Sequence, residues 1–443
     1  MSRTTFRRFG LTVAALILVA LPAYTVTRYH RARQLDAAAE RFQRSVGPLE
    51  TAAYKPPSVP AEDNAVPLLE QAAERLRAAG TAAEIPLALR RKPLADWTDP
   101  EIGEVRGILA AQGPTLALLH EAATRPGSSF DLPYEQGPEM PIPNLLMYLE
   151  AGNLLLAEAR VTAADGDLEG GVRSIEALGA LNRSIQGEPP LVFQVVGHGE
   201  ARRQYRAIRA FLTASAGDRS DLERLRASLP AAHFEESFRA AMGAEGAVLY
   251  WARPSGPGAG EITAYLGKES APAYDSSKGE VYIARGLDSY ARMVSAFPGS
   301  SYSALLRRSD FFSAPTATPP LADPHLHLID ELGPATGEFK ATESIDRLAR
   351  LALQLADEGL RSGSYPDSLA GLEGGGDPDP LTGAPVAYRR LADGSATVSV
   401  PGAQALWQKI RPRRRQPGEE ALFTWTLPSP APSRSGARPA AAD

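Results

Sequence analysis

Between Arg8 and Arg28 runs a stretch without one charged side chain, "FGLTVAALILVALPAYTVT", Phe9 to Thr27. As a helix at 1.5 Å per residue it spans about 28 Å, close to the hydrocarbon thickness of a bilayer. A fold must place this run in lipid or bury it whole. A transmembrane helix is the expectation, with Tyr24 and Tyr29 at the interface and Pro22 loosening the last turn. A cleaved signal peptide would share the basic start and apolar core. Against cleavage, "ALPAY" sets Leu21 three residues before a cut after Ala23, where a small residue belongs. A buried core helix is the third alternative. Arg3, Arg7 and Arg8 face Arg28, Arg31 and Arg33 across the run, so flanking charge nearly balances. The short tail before a large domain favours an N-in, single-pass arrangement in a bacterial inner membrane, with the bulk of the chain extracytoplasmic.

The fold class expected beyond the anchor is mainly α: stacked helical hairpins, then a small C-terminal α+β module with short antiparallel strands. The chain divides into a tail (1–8), the transmembrane helix (9–27) and a juxtamembrane helix and linker (28–60), broken by "YKPPSVP". A helical domain follows (61–312), then a Pro/Ser/Thr-rich linker (313–335), the C-terminal module (336–427) and a disordered tail (428–443). Within the helical domain, Leu68, Leu69, Ala72 and Leu76 share one face behind an Asp63 or Asn64 cap, and Trp97 to Ala123 reads as a further helix. Three helical passes fill Asn144 to Ser215, the first two joined by the turn Asp165-Gly166-Asp167. Pro254 to Gly279 reads as a glycine-rich loop. In the module, a helix over Gly337–Gly363 precedes "PVAYRRL", "ATVSVPG" and "LFTWTLP", with Asp393-Gly394 as a hairpin turn.

Composition removes some functions. The net charge of −5 gives no basic face for nucleic acid, and a chain without cysteine has no disulfides, thiol catalysis or thiolate zinc sites. Asp377 and Asp379 in "DPDPLTGAPVAYRR" suggest a cation site. Two carboxylates are too few ligands, however, and the prolines and Gly383 read as turn punctuation. Tyr388 then starts a strand, and its ring is expected against the long helix near Leu351 and Leu355.

This tail resembles that of an uncharacterised family of bacterial single-span, membrane-anchored proteins. There a long helix runs into G-x-Y-P-x-S-L and then D-P-x-T/S-G-x-P-x-x-Y. The matching residues are Gly363, Tyr365, Pro366, Ser368 and Leu369, then Asp379, Pro380, Thr382, Gly383, Pro385 and Tyr388. The final S-x-G of the pattern is altered to Ser399-Val400-Pro401-Gly402. The tail is also similar to that of type II secretion pseudopilins, although their processing site is absent before this anchor. The resemblance implies an architecture and carries no assigned activity.

Remaining candidates each have a sharp and a plain reading. His325 and His327 in "DPHLHL" would share one face of a strand, as metal-dependent hydrolases require; a surface linker is the plain reading. His198, beside Glu200 in "VVGHGEARR", could serve a nucleophile as base or pack on a helix face. Glu245, among small apolar residues, could bind a ligand or bond to a neighbouring helix. "RPRRRQ", Arg411 to Gln416, reads as a solvated loop. No cofactor motif is present. The function expected is binding or scaffolding of an envelope protein partner; the alternatives are a metal- or histidine-dependent hydrolase and an accessory part of a secretion apparatus.

Overall fold

The first helix sets the frame. The computed structural model describes residues 3–214, 218–229, 233–253, 279–307, 324–411 and 422–430, with backbone alone for 3–19, 21, 91 and 324–332. Helix α1, Arg3–Ser45, passes through Pro22 without interruption. Its described residues from Pro22 to His30 are exposed, whereas Leu35, Ala38, Ala39 and Phe42 are buried. Their spacing of three and four gives the second half one apolar stripe. Among the described residues no helix is long and apolar enough to cross a membrane.

Helices α2 (Val66–Ala79), α3 (Leu87–Arg91), α4 (Asp99–Ala111) and α5 (Gly113–Ala123) come next. The single helix expected over Trp97–Ala123 is thus two. Pro114, in the first turn of α5, lacks the N–H that would continue α4, and the chain restarts there. Helices α6 (Leu145–Ala164), α7 (Leu168–Gln186) and α8 (Leu191–Ala214) form the expected three passes and pack on one another. Asn144 caps α6 and Asp167 caps α7, while Gly166 takes φ 77° to reverse the chain between them. Helices α9 (Arg219–Ser228), α10 (Phe234–Trp251), α11 (Gly279–Ala296) and α12 (Tyr302–Leu306) follow among the described residues. The glycine-rich loop lies, over 254–278, outside the described residues.

Helix α13, Pro324–Ser362, corrects the expected linker: 324–335 are its first turns, and 313–323 lie outside the described residues. Strands β1 (Ala387–Arg390), β2 (Ala396–Ser399) and β3 (Thr424–Leu427) form an antiparallel sheet in that order, aligning Tyr388, Val398 and Trp425. Ala396, Val398, Trp425 and Leu427 are buried on the face that meets α13 and α8. Between β2 and β3 lies a helix the sequence reading did not anticipate, α14, Ala403–Ile410, entered through Gly402 at φ 78°. Of the tail expected to be disordered, 431–443 lie outside the described residues, while the Pro428 carbonyl accepts a hydrogen bond from the Tyr365 hydroxyl at 2.6 Å.

Two cores result. One runs from Ala65 to Leu427 and draws on both the expected helical domain and the expected C-terminal module. The other joins α1, α10 and α11 to Phe339 of α13. Gly246 is required there, because a Cβ would meet the Phe42 ring at 2.3 Å. Leu154 on α6 is fully buried in the first core. Leu154→Asp should cost about 3–5 kcal/mol and prevent folding. A thermal melt matching wild type would show that α6 does not pack this way.

Candidate functional site

Helix α8 carries His198 and Glu200 two residues apart, which on a helix turns them to different neighbours. His198 is buried with its ring edge-on to Phe339 at 4.1 Å and near Phe234; its Nδ1 lies 3.3 Å from Gln186 Nε2. Burial, helped by Arg202, holds it down at about 3, so the imidazole is neutral. Glu200 instead presses on α6 at Gly152, where a Cβ would sit 1.7 Å from its Oε2. It accepts from Arg203 Nη1 at 2.9 Å, and Arg203 Nε donates to Asn153 at 2.8 Å. Burial pushes Glu200 up to about 7; Arg203 and Arg202 oppose the rise and Glu150 adds to it. Among the described residues the recorded neighbours of His198 are Gln186, Phe234 and Phe339, and the two candidates belong to separate environments.

The face of α8 that carries His198 also meets α13 in a polar seam that has no local signature in the sequence. Arg202 pairs with Glu338 at 2.8 Å and donates to Thr342 Oγ1 at 3.1 Å, both side chains of the pair being about 7% exposed. Arg411 also pairs with Glu338, so this member of the basic cluster is half-buried and paired; 412–416 lie outside the described residues. The Trp407 ring stacks with Arg202 at 5.1 Å and with Arg411 at 4.9 Å. Further along, Tyr205 donates to Asp346 at 3.0 Å, and Arg350 holds its other oxygen at 2.7 Å.

Residues 325 and 327 lie in the first turn of α13, so the backbone is not the strand that would align two imidazoles; their side chains lie outside the described residues. Among the described residues, no group of three or more histidines and acids could hold a metal ion. Glu245, on α10, is half-buried and accepts the Leu191 N–H at 3.1 Å, satisfying the first turn of α8.

The turn motif is a connected unit. Asp379 is buried: Oδ1 accepts from Leu381 N at 3.0 Å, Thr382 N at 2.7 Å and Thr382 Oγ1 at 3.0 Å, and Oδ2 accepts from Ser344 of α13. Gly383 sits at φ 76° with its N–H on the Asp379 carbonyl, and Pro378 bridges Pro385. The Pro380 carbonyl accepts from Tyr302 N. Tyr388 occupies the outer strand, and its hydroxyl reaches the Pro366 carbonyl at 2.7 Å; strands β2 and β3 face the long helix.

Two of the concavities among the described residues bear on these candidates. A groove of about 640 Å³ follows α13 from Glu343 to Arg361, and many of its charges are spent internally, as in Arg350–Asp346 and Arg361–Asp357. Gln354 pins its far wall by bonding both the N–H and the carbonyl of Glu373. The second is an apolar cavity of about 150 Å³ where the segment Tyr134–Ile142 meets the starts of α8 and the middle of α10; Glu245 stands in its wall. No family model, curated protein or solved structure matches this chain.

Two outcomes are expected. The Glu200 acid holds its proton more tightly folded than unfolded, so its contribution is complete below about pH 4.5 and is lost as pH rises towards 7. Wild-type stability relative to Glu200→Gln should fall by about 2–3 kcal/mol over that window; parallel melts at pH 4.5 and 7.5 would show no divergence if the carboxyl is solvated. For the turn, Gly383→Val should cost about 1–3 kcal/mol through strain and contact with Ser301. Asp379→Asn, which keeps the Oδ1 acceptor, should cost much less. A calcium-dependent rise in Tm that Asp379→Asn abolishes would instead make this a cation site.

Proposed function

We propose that this chain is a membrane-anchored bacterial envelope protein whose body, held outside the cytoplasmic membrane, is a binding or scaffolding module. The observation that carries the reading is the division of α1. Its uncharged run leads into a stretch, Pro22 to His30, that stands clear of the body, with Tyr24, Val26 and Tyr29 each more than half exposed. Apolar and aromatic side chains on a free-standing helix are costly in water and at home at a bilayer interface. From Leu35 onward the same helix is core. The resemblance of the tail to single-span anchored proteins supports the same architecture.

Full-length protein should remain in the membrane fraction through high-salt and carbonate washes. A chain beginning at Arg31, which keeps Leu35 and everything after it, should be soluble and melt near the full-length temperature. Release of the full chain by carbonate, or a mature protein starting at Tyr24, would defeat the anchor.

A further inference from the structure

The apolar cavity offers a chemistry that neither the anchor nor the turn explains. Met140, Ile142, Val192 and Val248 line it, brought together from three separate stretches of chain. Ile142 and Val192, both in its lining, are 43% and 45% exposed. Scattered exposed apolar residues are ordinary; two that line one concavity mark an interaction surface. Its volume is that of an apolar cavity able to hold one benzene ring.

The charged residues that line it or lie in the segment Tyr134–Ile142 are acidic. Glu245 is the charged residue among those lining the cavity. Glu139, between the lining residues Pro138 and Met140, is exposed and makes no ion pair among the described residues. Glu135 stands on the same turn, and the nearby Lys55 is engaged by Asp131 at 2.7 Å. A site with this rim repels anionic headgroups and acidic segments, and one ring's volume is too small for an acyl chain.

We propose that the cavity docks a partner polypeptide that inserts one leucine- or phenylalanine-sized side chain and carries lysine or arginine beside it. The inserted group supplies affinity by leaving water within a preformed pocket, and the acidic rim selects the flanking charge. The proposal deepens the reading of the body as a binding module, and it does not require α1 to be a membrane anchor.

The test uses the full chain in phosphatidylcholine nanodiscs, titrated with three labelled hexapeptides, with binding to empty discs subtracted. One peptide alternates lysine with leucine, one glutamate with leucine, and one lysine with glycine. The lysine–leucine peptide should bind at least about tenfold tighter than the other two. Val192→Asp should weaken it by about tenfold or more, since an aspartate near the start of α8 is well tolerated by the helix. Glu139→Gln should weaken it a few-fold and flatten its salt dependence. Leu87→Asp, at an exposed leucine elsewhere (51%), should change nothing. Equal binding of the acidic peptide, indifference to Val192→Asp, or no binding of any peptide would overturn the proposal. Should the chain prove soluble without a membrane, the same titration runs in plain buffer, so failure of the anchor and failure of the docking site give separate results.

Discussion

Arg202 and Glu338 meet where α8 crosses α13, and much of the architecture hangs on that pair. Taking two charges out of water is expensive, and the cost is offset when each finds its partner with further hydrogen bonds. Thr342 and Arg411 supply those contacts, and the Trp407 ring closes over both guanidinium groups. A shift of α13 by one turn would strand a buried charge, so the pair fixes the register of the long helix. Through Ser344 and Asp379 that register passes to the turn, and through Trp407 to the helix inserted in the sheet. The seam is polar along much of its length, which makes it selective for one alignment as well as cohesive.

Where neighbours in sequence are neighbours in space, the chain is readable. Leu154, Leu155, Val172 and Ile175 recur with helical periodicity, and Asn144 and Asp167 stand where caps belong, so the three central passes follow from local rules. The turn around Asp379 is similar, since its donors Leu381 and Thr382 lie within three residues. Reading fails where the deciding partner is remote. Arg411 looks like a loop cation until Glu338 is found opposite it, and Pro401-Gly402 looks like a strand end until Trp407 is seen to have a seat beneath Arg202. The prolines of 313–335 suggested a connector, yet Pro324 is harmless as a first helical residue and Pro334 is carried inside α13.

The candidate sites divide along the same line. His198 and Glu200 are adjacent on paper and separated in space, because two steps along a helix turn a side chain to another face. Glu245 is legible as an acid among small residues, but the N–H it serves belongs to Leu191, on another element. The apolar cavity had no signature at all. Its walls come from four stretches, and exposed Ile142 or Val192 differs from a buried one through tertiary context that no periodicity reports.

Helix α1 has a mechanical meaning as well as a positional one. From Pro22 to Ser45 it runs about 34 Å without a joint, and its far half is part of a core. Phe42 sits directly on Gly246, and the residues just before that glycine, Ala244 and Glu245, form a wall of the apolar cavity. The stem is therefore a lever and not a tether. A tilt or sideways load applied near Pro22 reaches α10 through a ring seated on bare backbone, with no flexible segment to absorb it.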